Sequence, residues 1–273
     1  MARMADAAAR VVEHARRAGD RRRELTAETW LVVGYFLGPL PVDEALRALE
    51  SRPELDSVVP YRRIARAVLC AMVGRFDDAR ALAVAERARL VDEGAILRDA
   101  LVACNQGKIE HLARDLRASA AYLREGCDRL EAIGDLGFLS TYVGELGQTL
   151  FELGEYEDAR RCSLRGEAIG AADDLVTQML WRQLRARVLA HDGDHATAER
   201  LAREAVGLGE PTDALEMRAD SRSDLAEVLA LRGRVGDAAT ELEQALGLYR
   251  QKGITVMVAR TEERLERLLA GAA

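Results

Sequence analysis

Only five prolines interrupt the 273 residues, and runs of β-branched residues are few. With Ala, Leu, Arg and Glu dominating, helix is the default conformation throughout. The four cysteines, Cys70, Cys104, Cys127 and Cys162, stand far apart, with no CxxC pair and no Cys/His cluster. That spacing argues against a zinc site or a redox dithiol and predicts reduced, partly buried thiols in a cytoplasmic protein. No apolar run is long enough to span a bilayer. The best candidate, "WLVVGYFLGPLPV" (Trp30–Val42), is short, follows Glu24 and Glu28, and is broken by Gly38, Pro39 and Pro41. It reads as a buried helix ending in a proline-marked turn, neither a membrane span nor a signal segment.

The formal charge of −7 argues against a general nucleic-acid binder. The charge is uneven: seven arginines fall within residues 1–23 against Asp6, Glu13 and Asp20, leaving −11 on the remainder. The run "ARRAGDRRRE" could meet an acidic partner or nucleic acid, but so short a run reads first as a solvated helix end. Catalytic signatures are missing as well. There is no GxSxG, no Ser-x-x-Lys, no Walker A glycine loop and no cyclase aspartate pair in recognisable context, so an enzyme is the disfavoured class. "HDGDH" places His191 and His195 four apart, yet Gly193 breaks the helical face a metal chelate would need. No cofactor is expected.

What is present is a period. "FELGEYEDA" (Phe151–Ala159) returns as "AMVGRFDDA", "AHDGDHATA" and "ALRGRVGDA", each with Gly and Ala five residues apart. The alanines Ala45, Ala79, Ala120, Ala159, Ala198 and Ala238 are spaced 34, 41, 39, 39 and 40. A second set of turn markers, Gly94, Gly134, Asp174, Asp213 and Gly253, is spaced 40, 40, 39 and 40. Two markers sharing one period indicate an array, and the helical text between them indicates a solenoid. Each unit reads as two helices: Leu139, Tyr142 or Val143, Leu146, Leu150 and Leu153 follow three-and-four spacing, Gly154 stops the first helix, and a second ends at Gly170. Small Gly147 and Ala159 should let paired helices approach, with Tyr156 and Phe76 plugging the turns. In residues 104–131 Asp115 stands where the turn glycine is expected, marking a degenerate unit.

These positions resemble the tetratricopeptide repeat: Val143, Leu146, Gly147, Leu150, Gly154, Tyr156 and Ala159 occupy its pattern. A period near 40, against the usual 34, implies longer helices, as in helical sensor domains of bacterial regulators. "LWRQLRA", "DLAEVLALRGR" and "LYRQKG" further resemble the C-terminal helical region of actinobacterial signalling proteins, in which a cyclase and an AAA-type ATPase precede the helices. That resemblance implies an ATPase or cyclase domain as a partner.

The fold expected is therefore all-α, a right-handed solenoid of antiparallel helix pairs. A basic helix (1–22) comes first, then six pairs (23–253), then a capping helix (254–273) whose arginines and glutamates give the polar exterior an array needs. The first helix of each pair should line a concave groove that takes a peptide or protein segment, with a small molecule as the alternative ligand. Groove candidates are Thr141, Gln148, Glu152, Gln183, Arg187, Asp220, Ser223 and Glu227. Arg182 and Arg185, beside Trp181, would form a stacked guanidinium platform for an acidic ligand unless Glu204 or Asp224 pairs with them.

Overall fold

The computed structural model describes residues 1–271, and every regular element among them is helical. Helix α1 (Ala2–Ala18) lies antiparallel to α2 (Arg21–Leu37). The chain continues through α3 (Val42–Glu50), a 3-10 turn (Pro53–Ser57), α4 (Arg62–Met72) and α5 (Phe76–Asp92). Three longer pairs follow: α6 (Ile96–Ala113) with α7 (Leu116–Ala132), α8 (Leu136–Glu152) with α9 (Tyr156–Ile169), and α10 (Leu175–His191) with α11 (His195–Gly209). Helices α12 (Leu215–Leu231), α13 (Val235–Lys252) and α14 (Thr255–Ala270) complete the array. Helices α2, α5, α7, α8, α10 and α12 are each 17 residues long, which is where the period near 40 goes. No helix is long and apolar enough to cross a membrane, among the described residues.

The repeating motif does mechanical work. Gly154 sits at φ 81°, a left-handed turn that glycine enters without steric cost. Tyr156 stacks on His191 of the next pair, ring centroids 3.7 Å apart, with Phe151 edge-on at 5.1 Å. His191 is thus spent in an aromatic stack at the end of α10, while His195 opens α11. Gly147 lies at the crossing: a Cβ there would stand 2.8 Å from Cys162 Cβ and still closer to Leu184. Ala159 has no exposed surface. Ala159→Leu should overpack this crossing and cost about 1–3 kcal/mol in urea denaturation. An unchanged midpoint would remove Ala159 from it.

One alignment shifts by a residue. The degenerate unit does have a left-handed turn residue, but it is Arg114 at φ 67°, not Asp115. Asp115 instead caps α7, accepting a hydrogen bond from the Ala118 amide, and Ser119, completely buried, takes the place Ala159 has in its pair. The basic N-terminal run is held by its own neighbours: Arg16 bridges Glu24 and Glu28 at 2.8 and 2.7 Å. In "WLVVGYFLGPLPV", Leu31, Val32 and Gly34 are buried, whereas Trp30 faces solvent. The four cysteines are unpaired, and burial raises all their thiols, Cys162 to about 11, so none is a ready thiolate.

The array also closes on itself. One core cluster unites Val32, Val42 and Val68 from the N-terminal helices with Ala245, Tyr249 and Ile254 from the C-terminal ones. Lys252, 1% exposed, donates to the carbonyls of Tyr35, Gly38 and Leu40 at 3.0, 2.6 and 2.8 Å. At another point of the seam, Asp213 accepts the Ala2 amide at 2.6 Å. The concave face thereby becomes an interior.

Candidate functional site: a two-lobed interior chamber

Polar residues recur along the inner helices at spacings of four, three and four: Thr141, Glu145, Gln148 and Glu152 on α8; Glu216, Asp220, Ser223 and Glu227 on α12. Such spacing keeps side chains on one helical face. Closure turns these faces toward one another around a chamber with two lobes.

The larger lobe, about 340 Å³, is walled mainly by apolar and aromatic residues, among them Val32, Phe36, Tyr61, Phe138, Leu180 and Met217. The smaller, about 190 Å³, is polar, with His111, Gln148, Glu152, Arg187, Asp224 and Arg264 in its wall. Lys108, Glu145, Leu180, Gln183, Glu216 and Asp220 line both lobes and form the waist between them.

Ion pairs order the polar lobe. Arg187, 7% exposed, sends Nη2 to Glu227 at 3.0 Å, sets Nε 3.7 Å from Asp224, and donates to Gln148 Oε1 at 2.6 Å. Its guanidinium lies 4.3 Å from the Phe151 ring centroid. Arg264 of the capping helix turns inward, donating to Ser223 Oγ at 2.7 Å with Glu227 3.7 Å away. Glu152 meets His111 at 3.3 Å and pairs with Arg114; burial raises its carboxyl, but these partners and Arg187 outweigh that and hold it well below the usual range.

The waist is less balanced. Lys108 pairs with Glu216 at 3.1 Å, and Asp220 accepts the Tyr249 hydroxyl at 2.5 Å. Glu145 has no cation within ion-pair distance and accepts no side-chain hydrogen bond, among the described residues. Burial raises its carboxyl; it raises Asp224 to about 6 and, with Glu216 nearby, Asp220 to about 8. A carboxyl raised on folding holds its proton between its unfolded and folded pKa, so its neutral form favours folding and that advantage disappears as pH rises. Between about pH 4 and 8, wild type should therefore lose stability relative to Asp220→Asn in parallel denaturation series. Profiles that stay parallel would refute it.

Of the residues expected in the groove, Thr141, Gln148, Glu152, Gln183, Arg187, Asp220 and Ser223 line the chamber, and Glu227 stands behind Arg187. They are interior residues rather than residues free of packing: Gln183 and Ser223 are 3% and 5% exposed. Trp181, Arg182 and Arg185 do not line the chamber. Trp181 and Arg185 open instead on a separate cleft lined also by Leu164 of α9 and Arg200 of α11. The stack exists, with guanidinium carbons 4.1 and 5.6 Å from the Trp181 centroid, but Glu204 already meets Arg182 and Glu167 meets Arg185. Asp224 pairs with Arg187 instead. Two residues of helix are a rotation of about 200°, which separates the Gln183–Arg187 face from the Trp181–Arg185 face. Lys108 and Glu145 were not anticipated. The four-three-four stripe through Thr141 and Gln148 already contains Glu145, whereas Lys108 lies in the degenerate unit, where no register was available.

Three segments, residues 60–85, 184–204 and 219–244, match the tetratricopeptide repeat family model. They fall on α4–α5, α10–α11 and α12–α13. The described fold is accordingly a tetratricopeptide-like α-solenoid. It resembles the crystal structure of NprR in complex with its cognate peptide NprX, at TM-score 0.63 and 12% identity over 99% of this chain and 88% of that one. It also resembles the apo form of the quorum sensor NprR from B. thuringiensis, at TM-score 0.56 and 13% identity over 97% and 79%. At such identities the likeness is one of fold. No curated protein matches the sequence.

Proposed function

We propose that this chain is a non-catalytic, cytoplasmic regulatory module that binds a peptide or short protein segment inside its closed superhelix. The observation carrying the proposal is the two-lobed chamber itself, formed where tetratricopeptide arrays present their inner helices. An apolar lobe supplies burial and a polar lobe supplies orientation, the division expected of a binding cavity. The likeness to NprR, solved with a peptide, supports the same class of ligand. Gln148, Glu152, Gln183, Arg187, Asp220 and Ser223 are the proposed contacts, joined by Lys108 and Glu145. The cyclase and ATPase resemblance makes a domain of either kind the proposed effector, which co-purification would test.

The test is selection from a random linear-peptide display library by the full chain. Peptides should be enriched on wild type and lost with Met217→Trp, which fills the apolar lobe. Failure to enrich any peptide would reject the proposal. The second reading, a small-molecule sensor, rests on the volume of the apolar lobe, which alone falls within the range of small-ligand cavities.

A further inference from the structure

The waist of the chamber holds acceptors that the protein does not satisfy. Glu145 has no ion-pair partner and accepts no side-chain hydrogen bond, among the described residues. Asp220 has one donor, the Tyr249 hydroxyl. Gln183, 97% buried, donates through Nε2 to Ser221 Oγ, and its Oε1 accepts no hydrogen bond from the protein. All three side chains line both lobes. The cations nearby already face carboxylates: Lys108 meets Glu216, and Arg187 meets Glu227 and Asp224, although its Nε makes no hydrogen bond. Glu145 and Asp220 are half-buried, and a carboxylate so withdrawn from water is costly unless a cation or hydrogen-bond donors compensate it. Raised carboxyls at Glu145 and Asp220 agree with that cost.

We infer that the waist is a receptor for a primary ammonium group, carried by a peptide whose apolar side chains occupy the larger lobe. An ammonium has three N–H donors and no acceptor, and it meets here two carboxyls and an amide oxygen. It restores charge balance where the protein leaves carboxylates over, and it divides the ligand at the boundary between an apolar and a polar wall. A carboxylate or phosphate at the same place would face Glu145, Glu216 and Asp220 and is disfavoured. The inference rests on the peptide reading above and adds the chemistry of the ligand.

Two sources of an ammonium, the peptide's N-terminus and a lysine side chain, are separated by the test. Peptides enriched from the display library are synthesised free and N-acetylated, and with each lysine replaced by norleucine. One of these changes should weaken binding to the full chain by roughly thirtyfold or more, the loss of a buried charged partner. Glu145→Gln should weaken the unmodified peptide similarly without lowering the thermal midpoint, because Glu145 has no protein partner to lose. Asp220→Asn provides a second reading should the first variant fold poorly. Peptides that tolerate both acetylation and norleucine, or that bind Glu145→Gln as tightly as wild type, would overturn the ammonium receptor and leave the peptide reading standing. Failure to enrich any peptide would overturn both.

Discussion

Arg187→Met should destabilise the folded chain by about 3–5 kcal/mol, the typical cost of removing one member of a buried ion pair. Arg187 faces Glu227 at 3.0 Å and Asp224 at 3.7 Å and donates to Gln148. Methionine keeps much of the apolar stem against Phe151 but leaves two half-buried carboxylates close together without their shared cation. Arg264 compensates Glu227 only at 3.7 Å, from a side chain one-third exposed. Chemical denaturation gives the loss directly. Adding Asp224→Asn and Glu227→Gln to the methionine variant should recover a substantial part of it, since residues in one ion network do not act additively. A single-variant loss below about 1 kcal/mol would show that the pair behaves as an exposed one.

Lys252→Met is expected to be comparably severe, for a different reason. The last carbonyls of a helix lack intrahelical donors, and after α2 the chain reads Gly38-Pro39-Leu40-Pro41. Pro39 has no N–H, so it cannot satisfy Tyr35, four residues earlier. The Lys252 ammonium, arriving from the far end of the array, does so and reaches Gly38 and Leu40 as well. Removing it strands the buried Gly38 carbonyl and the half-buried carbonyls of Tyr35 and Leu40 at about 1–3 kcal/mol each, so a total of roughly 3 kcal/mol or more is expected. The same change should loosen the seam, raising amide exchange in α2 and α3 and enlarging the particle in small-angle scattering. Lys252→Arg should not rescue, because a planar guanidinium does not match three acceptors converging on one nitrogen. Unchanged stability together with an unchanged scattering profile would show that closure does not depend on this contact.

Much of this architecture was legible in the residues. The spacing of Gly154 and Ala159 and their counterparts located the turns and the small crossing positions. Where the period failed, the cause was local: Arg114 entered the left-handed turn without being glycine, because Asp115 was placed to cap α7, and a reading tied to residue type counted one position late. The candidate site was legible in half. Thr141, Gln148, Gln183, Arg187 and Asp220 follow from the rule that the first helix of each pair lines the inner face. Trp181 and Arg185 share that helix but lie two residues, about 200°, around it from Gln183 and Arg187, and they open on the separate cleft.

Sequence alone thus determined the helix pairs, their lengths, the turn chemistry and the stripes of polar residues on the inner helices, since all of these depend on interactions within about one repeat. It did not determine that the stripes would face one another. The curvature of a solenoid is the sum of small rotations at successive pair-to-pair contacts, and no single spacing encodes that sum. Only the tertiary structure brought Lys252 to the end of α2 and made the groove a chamber. There it set Lys108 of α6 against Glu216 of α12, and left Glu145 with no partner of its own.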